Sequence, residues 1–219
     1  MSRALSTPVV DAITAFREGD PVLIHDAADR EGETDILFPA GAVGPREVAQ
    51  LRNDAGGLIC VALSAGVADA FDLPFMQDIL DHPAARDHTL SYDDRSSFSL
   101  TVNHRDTRTG VTDHDRALTI RELGRAATAP ADFPFADTFR CPGHVHLLRS
   151  AEDLLASREG HTELGVALAE AADLPSAVVL CEMLADETGE ALLPDQAKAY
   201  AARHNAPYVE GNELVETLL

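Results

Sequence analysis

The stretch PVLIHDAADREGETDILFP (residues 21–39) holds the most informative pattern of the chain. Two short apolar runs, residues 21–25 and 36–39, enclose a polar segment, and short apolar runs bounded by polar, Gly or Pro residues are typical of β-strands. We therefore predict a strand-to-strand connection over residues 29–35, which hold four carboxylates and one guanidinium. Carboxylates this close repel one another unless a cation, a proton or an arginine neutralises them. A solvated turn is the alternative interpretation.

The length and composition predict a globular chain with a large core. It has 219 residues, of which 45% are hydrophobic, enough for one large domain or two small ones. No linker separates two cores, so we predict a single domain over residues 1–219. Strands and helices are interspersed without strict alternation, which favours an α/β fold of the α+β type. We expect one layered domain with a mixed, twisted β-sheet flanked by helices.

The charge is strongly acidic. Lys and Arg total 17 against 37 Asp and Glu, a net charge of −20, and Lys198 is the single lysine. Such a charge argues against a nucleic-acid-binding surface and suggests a host with a high-salt cytoplasm. No run of about eighteen apolar residues and no basic-then-apolar leader is present, so we expect a cytoplasmic protein that does not enter membranes. The three cysteines predict buried thiols rather than disulfides.

Local patterns predict most elements of secondary structure. Pro45 fits the first position of a helix, and Thr112 is the predicted cap of a helix that ends at Gly124. The polar segment 81–96 is predicted to be a mobile loop or lid. Other predicted helices cover residues 9–18, 162–172, 194–204 and 213–219, and predicted strands cover residues 22–24, 36–39, 58–63, 98–102, 144–148, 177–184 and 208–210.

Glu31 and His161 are candidate metal ligands. His161 stands just before a predicted helix, in the segment REGHTE (residues 158–163). One carboxylate and one imidazole suit a divalent ion that keeps several waters, Mg²⁺ or Mn²⁺, whereas zinc favours more nitrogen or sulfur ligands. A helix N-terminus with Arg158, Gly160 and Thr162 is also a natural phosphate site. A capping or core role for His161 is the alternative.

His144 and Glu182 are candidate acid–base groups. Pro142 and Gly143 predict a turn that presents His144 at the edge of the next strand, and a histidine titrates near neutral pH. Glu182 interrupts an apolar run, where a carboxylate loses solvation unless it has a partner. A strand-end glutamate that reaches solvent is the alternative for Glu182.

Taken together, these motifs resemble the 3,4-dihydroxy-2-butanone 4-phosphate synthase family, which converts ribulose 5-phosphate to that four-carbon phosphate and formate in riboflavin biosynthesis. The resemblance covers roughly residues 9 to 210. It rests on four motifs that occur along this chain in the order found in the family, and it includes segments 52–60 and 109–111. The motifs occupy residues 29–35, 142–145, 158–163 and 181–182. The family's acidic loop usually reads Arg-Glu-Asn-Glu-Gly-Asp, whereas Gly32 and Thr34 hold the Asn and Gly positions here, and Glu159 stands where glycine is common.

The resemblance implies roles for the site residues. Glu31 and His161 correspond to ligands of Mg²⁺ or Mn²⁺, and His144 and Glu182 to catalytic positions, with Glu33 and Asp29 as further catalytic candidates. It implies a homodimer with sites near the subunit interface. The substrate-binding candidates are Arg30, Glu31, Asp35, Arg158, Glu159, Gly160, His161, Thr162 and Glu182.

The implied reaction is metal-assisted enolisation, dehydration, a carbon-skeleton shift and loss of C4 as formate. Two rival functions remain at this point: another divalent-metal-dependent enzyme acting on a phosphosugar, such as an aldolase or hydrolase, and a nucleotide- or RNA-binding module of related fold. The second lacks a glycine loop of the Walker type and has only scattered basic residues.

Overall fold

The computed structural model describes residues 7–27, 30–85, 90, 93 and 95–219. Their strands form one seven-stranded mixed sheet in the order β4-β5-β3-β6-β2-β1-β7. β1–β7 and β3–β5 are parallel pairs, and the other neighbours are antiparallel. The strands are β1 (Val22–His25), β2 (Thr34–Pro39), β3 (Cys60–Leu63), β4 (Phe98–His104), β5 (Phe139–Arg149), β6 (Ala177–Glu182) and β7 (Tyr208–Glu210).

Helices connect the strands and cover both faces of the sheet. The mixed, layered α/β architecture predicted from the sequence is confirmed. In the described residues, no helix is long and apolar enough to cross a bilayer. The helices are α1 (Thr7–Glu18), α2 (Pro45–Gln50), α3 (Ala65–Ala70), α4 (Met76–Ile79), α5 (Asp113–Ala126), α6 (Phe135–Thr138), α7 (His161–Ala171), α8 (Pro194–His204) and α9 (Gly211–Leu218).

Two apolar clusters lie on opposite faces of the sheet. Side chains of α2, α3, α5 and α8 pack on one face, against strand residues such as Phe38 and Val61. Side chains of α1, α7 and α9 pack on the other face, against Ile24, Leu37 and Leu180. Consecutive strand residues alternate between the two clusters, as the period of two requires. The second face carries the candidate site, because α7 begins with His161.

The prediction that Gly124 ends a helix is wrong. α5 continues through Gly124 to Ala126. A Cβ at position 124 would lie 2.4 Å from the backbone nitrogen of Gly41 and 2.8 Å from its Cα. The glycine is present because α5 crosses the 3₁₀ turn Ala40–Ala42 at backbone contact, which a helix-stop rule based on local sequence does not anticipate.

The predicted turn at Pro142 and Gly143 is also wrong, because both residues lie inside β5. The register nevertheless breaks there: Val102 of β4 pairs with Val145, whereas the next residue, Asn103, pairs with Arg140. Residues 141–144 therefore form a long bulge in β5, and bulges re-aim side chains at functional sites. The bulge carries His144 and also Cys141, which is exposed, contrary to the expectation of buried thiols.

Candidate active site

A polar cavity of about 450 Å³ lies on the α7 face of the sheet, near the ends of β2 and β6. The loop before β2 forms one wall and the first turn of α7 another. The described residues that line it are Arg30, Glu31, Glu33, Asp35, Cys60, Leu90, Ser96, Ser97, Phe98, Leu148, Arg158, His161, Thr162, Leu180 and Glu182. It thus joins the acidic loop to the later His161 segment.

Asp26 shapes the acidic loop. It follows β1 directly and is 1% exposed. Its Oδ1 accepts a hydrogen bond from the Glu33 backbone N–H at 3.0 Å, and its Oδ2 accepts one from the Glu31 N–H at 3.3 Å. The Nε of Arg30 lies 3.7 Å from the same carboxylate. These contacts fold the loop around one buried carboxylate, so that the Glu31 and Glu33 side chains line the cavity.

His161 is the first residue of α7 and lies buried against the acidic loop. Its Nδ1 is 3.5 Å from Glu31 Oε2, and its Nε2 is 3.7 Å from Asp35 Oδ1 and 3.2 Å from the carbonyl oxygen of Ile24. Burial lowers the imidazole pKa, but the carboxylates of Asp35 and Glu31 outweigh burial and raise it. In return, the contact with His161 lowers the pKa of Glu31.

The carboxylates deeper in the cavity are held closer to neutrality. Burial raises the pKa of Asp35, and the neighbouring charges of Glu182 and Glu31 add to the effect. Burial also raises the pKa of Glu33, again with a contribution from Glu31. The cavity therefore contains more acidic groups than its imidazole can neutralise, and it favours either bound protons or a cation.

The donor set fits a divalent cation. Ligand atoms of Asp26, Glu31 and His161 all lie within 4.8 Å of one another. In addition, Asp35 Oδ1 is buried and accepts no hydrogen bond from the described residues. Carboxylate oxygens with a single imidazole match the preferences of Mg²⁺ and Mn²⁺ better than those of zinc. Because Asp26 already accepts two backbone hydrogen bonds, Glu31 and His161 are the better candidates for direct ligands.

Two arginines form an anion site beside the first turn of α7. Arg30 Nη2 lies 3.3 Å from the Asp93 carboxylate, and Arg158 Nε forms a short hydrogen bond with the same carboxylate. Arg158 also donates to Ser97 Oγ at 2.6 Å. Two guanidinium groups that converge on one carboxylate can also bind another oxyanion, and the N-terminus of α7 adds a favourable dipole.

Glu163 holds Arg158 in this position. It is fully buried, its Oε2 accepts from Arg158 Nη1 at 2.9 Å, and its Oε1 accepts from the Ala151 backbone N–H at 2.9 Å. Space is tight here, since a Cβ at Gly160 would lie 2.9 Å from Arg30 Nη2 and 3.1 Å from Arg158 Nη1. Gly160 therefore lets both guanidinium groups reach the helix terminus.

Glu182 stands at the end of β6, paired in register with Asp35 of β2. Its Oε2 accepts a hydrogen bond from the Leu58 backbone N–H at 2.7 Å. A Cβ at Gly57 would lie 2.4 Å from that oxygen, so only glycine allows the contact. The carboxylate is thus oriented by backbone groups at the rim of the cavity. Nearby Cys60 is buried, which raises the pKa of its thiol well above the usual range and keeps it protonated.

Among the described residues, the predicted site residues Glu159, Gly160 and His144 are not part of the lining of this cavity. Asp29 lies outside the described residues. Glu159 is exposed and lines a separate, shallower depression behind Arg30 and Arg158. His144 is exposed on the β5 bulge and is not among the described residues that line the cavity. The bulge nevertheless lies beside the cavity, because His146, two residues further along, pairs with the lining residue Cys60.

Sequence reasoning missed Asp26, Asp93, Ser97 and Glu163. Asp26 could have been found, because a carboxylate directly after a strand and before a loop rich in backbone N–H groups is a common loop organiser. Glu163 was part of a recognised motif, but its burial depends on β5 and α7 packing together. Asp93 and Ser97 reach Arg158 from a segment without sequence periodicity, so no local signal marks them.

Sequence comparison identifies the family of the chain. The family model for 3,4-dihydroxy-2-butanone 4-phosphate synthase matches residues 10–217. The chain is 50% identical to the synthase of that name from Archaeoglobus fulgidus over 94% of this chain and 92% of the relative. It is 46% identical to the Methanosarcina mazei synthase over 95% of this chain and 90% of the relative. Both alignments contain the acidic loop and the α7 segment.

Solved structures give the same result. A crystal structure of the Candida albicans synthase superimposes with a TM-score of 0.80 at 31% identity, covering 99% of this chain and all of the other. A synthase crystallised with two magnesium ions superimposes with a TM-score of 0.78 at 28% identity, covering 96% of this chain and 99% of the other. Because the family model and the curated relatives match nearly the whole chain and the solved structures share its fold, the chain belongs to the 3,4-dihydroxy-2-butanone 4-phosphate synthase family.

Proposed function

We propose that the whole chain, residues 1–219, is a single synthase domain that converts ribulose 5-phosphate to 3,4-dihydroxy-2-butanone 4-phosphate and formate in riboflavin biosynthesis. The observation that carries the proposal is the cavity itself. It places an oxyanion site, Arg30 with Arg158, next to a carboxylate–imidazole cluster suited to Mg²⁺ or Mn²⁺. A phosphosugar needs both, one for its phosphate and one for its carbonyl and hydroxyl oxygens.

The phosphate of the substrate is bound by Arg30, Arg158 and Thr162. The first two already share one carboxylate, and Thr162 adds a hydroxyl and a backbone N–H in the first turn of α7. Glu31 and His161 would hold the cation. When bound, the ion supplies Lewis-acid stabilisation of the negative charge that develops on the sugar oxygens. Asp35 lies 3.7 Å from His161 Nε2 and pairs in register with Glu182, so it is our candidate to hold a substrate hydroxyl.

Several proton transfers are needed for enolisation, dehydration and loss of C4. Glu33 lines the cavity beside Glu31 and is placed to take up and return protons at its carboxylate. Glu182, fixed at Oε2 by the Leu58 N–H, lines the same cavity and is our second candidate acid–base group. Asp29 remains a candidate for a proton shuttle. The buried walls limit water access and so protect reactive intermediates.

We further propose that the chain works as a homodimer in which His144 serves the site of the partner chain. His144 is exposed and rigidly held on the β5 bulge, outside the cavity of its own chain. A second copy packed on this uncovered part of the sheet would bury it. The family resemblance, which implies sites near a subunit interface, supports the same arrangement.

The direct test is incubation of the purified protein with ribulose 5-phosphate and Mg²⁺, with and without EDTA. We expect formate release that stops with EDTA and returns with added Mg²⁺ or Mn²⁺. A different product would support another metal-dependent phosphosugar enzyme, such as an aldolase. Binding of ribulose 5-phosphate without turnover would support a binding module, and either result would overturn the proposal.

The acidic composition supports a cytoplasm of high salt as the working environment. With a net charge of −20, self-repulsion destabilises the folded chain at low ionic strength, and salt screens it. We expect the melting temperature to rise steadily from low to molar KCl. A melting temperature that stays constant or falls over this range would contradict the proposal.

A further inference from the structure

The bulge that carries His144 is held by side chains of the neighbouring strand. In place of ladder hydrogen bonds, the Gly143 N–H donates to Thr101 Oγ1 at 3.1 Å and the His144 N–H donates to Asn103 Oδ1 at 2.8 Å. Asn103 is only 4% exposed. The two β4 side chains therefore satisfy the backbone donors that the bulge would otherwise leave unpaired.

Asn103 also contacts the imidazole ring of His144. The amide nitrogen, Nδ2, lies 3.1 Å from the ring Nδ1, closer than the amide oxygen at 3.4 Å. The orientation of the amide follows from its other contact, since Oδ1 must face the His144 backbone N–H as its acceptor. The NH₂ group is then the part of the amide that meets Nδ1, and it can only donate.

Gly110 leaves room for the Asn103 amide beside it. It has φ +88°, and a Cβ at this position would lie 2.1 Å from Asn103 Nδ2 and 2.4 Å from Oδ1. The Gly110 loop thus lies directly against the amide, and its own N–H is tied to Asp115 Oδ2 at 2.8 Å. The hydrogen bond to the His144 N–H fixes the orientation of the amide, because a flipped amide would place its NH₂ group against that N–H, with two donors facing each other.

We propose that Asn103 is a positioning residue that keeps His144 as the neutral tautomer with its proton on Nε2. Nδ1 then accepts from Asn103, and Nε2–H is the ring donor offered to the substrate. His144 therefore acts as a neutral hydrogen-bond donor to a substrate oxygen that becomes negative, rather than as a base through Nε2. The inference rests on the proposed role of His144 in the synthase reaction, but its first test needs no turnover.

That test is a long-range ¹H–¹⁵N NMR spectrum of the protein labelled with ¹⁵N-histidine, with the His144 signals identified by their loss in His144→Gln. At a pH where the ring is neutral, we expect an unprotonated Nδ1 and a protonated Nε2. A protonated Nδ1 in the neutral wild-type ring would overturn the proposal. Formate release is measured separately. A wrong tautomer assignment and an absence of synthase activity are therefore distinguishable.

The variant Asn103→Asp keeps the shape and the acceptor for the His144 N–H, but offers a carboxylate to the ring. We expect Nδ1 to become protonated and kcat to fall on the order of 10²-fold, the scale of one lost transition-state donor, with KM little changed. Thr101→Val is the matched control, because it removes the neighbouring side-chain bond to the bulge and should keep the wild-type tautomer. An unchanged tautomer in Asn103→Asp, or the same tautomer shift in Thr101→Val, would overturn the proposal.

Discussion

The two groups of candidate catalytic residues lie in opposite environments on the same sheet. Asp35 and His161, which line the cavity beside the acidic loop, are almost fully buried, and Glu31 of that loop keeps a partly exposed side chain. The β5 bulge, by contrast, leaves His144 exposed, although hydrogen bonds from β4 hold it in place. The first group is therefore assembled by contacts within the chain, whereas His144 is fixed in place by its own chain but left exposed.

The two environments suit the two kinds of role proposed for these residues. At the proposed cation and phosphate sites, contacts between oppositely charged side chains offset the mutual repulsion of the carboxylates. A single imidazole that must meet substrate can be contributed from another surface, provided that its ring is already oriented. The following variants test the two regions in turn.

Removing Glu31 should have the largest effect. Glu31→Ala takes away the carboxylate that contacts His161 and lines the cavity, so we expect activity to fall on the order of 10³-fold through loss of metal binding. Formate release measured across Mg²⁺ concentrations is the readout. The exposed Glu152→Ala, on the segment after β5, is the charge-matched control. Near wild-type activity of Glu31→Ala at limiting Mg²⁺ would refute the metal assignment.

His144→Gln should reduce activity on the order of 10²-fold while leaving Mg²⁺ binding intact. A heterodimer of one His144→Gln chain and one Glu31→Ala chain tests whether His144 serves the site of the partner chain. Heterodimers purified through two different tags would contain one intact site of two, so we expect roughly half of the wild-type activity. If such heterodimers are as inactive as either parent, His144 serves its own chain and the proposed crossing is wrong.

Gly57→Ala should have an intermediate effect at the cavity rim. A Cβ would lie 2.4 Å from Glu182 Oε2 and 2.6 Å from the Glu182 carbonyl oxygen, so the Glu182 carboxylate must move. We expect about a 10-fold loss of kcat and about 1–3 kcal/mol lower free energy of unfolding, as for other overpacked sites. Gly66→Ala in α3, where nothing lies within 4 Å, is the control and should not lose stability. A kcat of Gly57→Ala equal to that of the wild type would contradict the proposed acid–base role of Glu182.

Glu159→Gln should have the smallest effect. Although it belongs to the motif before α7, its side chain is exposed and lies outside the main cavity. We expect kcat and KM for ribulose 5-phosphate to change by less than about twofold, since surface substitutions seldom reach a site. A clear rise in KM would show that Glu159 reaches the substrate and that the cavity is larger than the described residues suggest.

Features governed by local chemistry were predictable from the sequence. The strands on either side of the acidic loop follow from apolar runs, and the start of α7 follows from Gly160 and the polar residues after it. The Thr112 cap is confirmed, with its hydroxyl accepting from the Asp115 N–H at 3.1 Å. The roles of Glu31 and His161 could be proposed because densely packed carboxylates require a partner, and they do meet in the structure.

Features that depend on distant contacts were not predictable. Gly124 reads as a helix stop until α5 is seen to cross the backbone of Gly41. Pro142 and Gly143 read as a turn, but the length of the bulge is set by how β4 pairs on either side of it. Asn103 carries no local signal at all, because its importance arises from touching both His144 and Gly110. In each case, contacts between residues far apart in the sequence determine the local structure or role.

The proposed synthase reaction is tested most sharply by locating C4 of the substrate among the products. Ribulose 5-phosphate labelled with ¹³C at C4 is incubated with the purified protein and Mg²⁺, and the products are observed by ¹³C NMR. The synthase reaction predicts that the label appears in formate, and that EDTA prevents its appearance. A label that stays in the phosphorylated product, or formate that carries no label, would contradict the account.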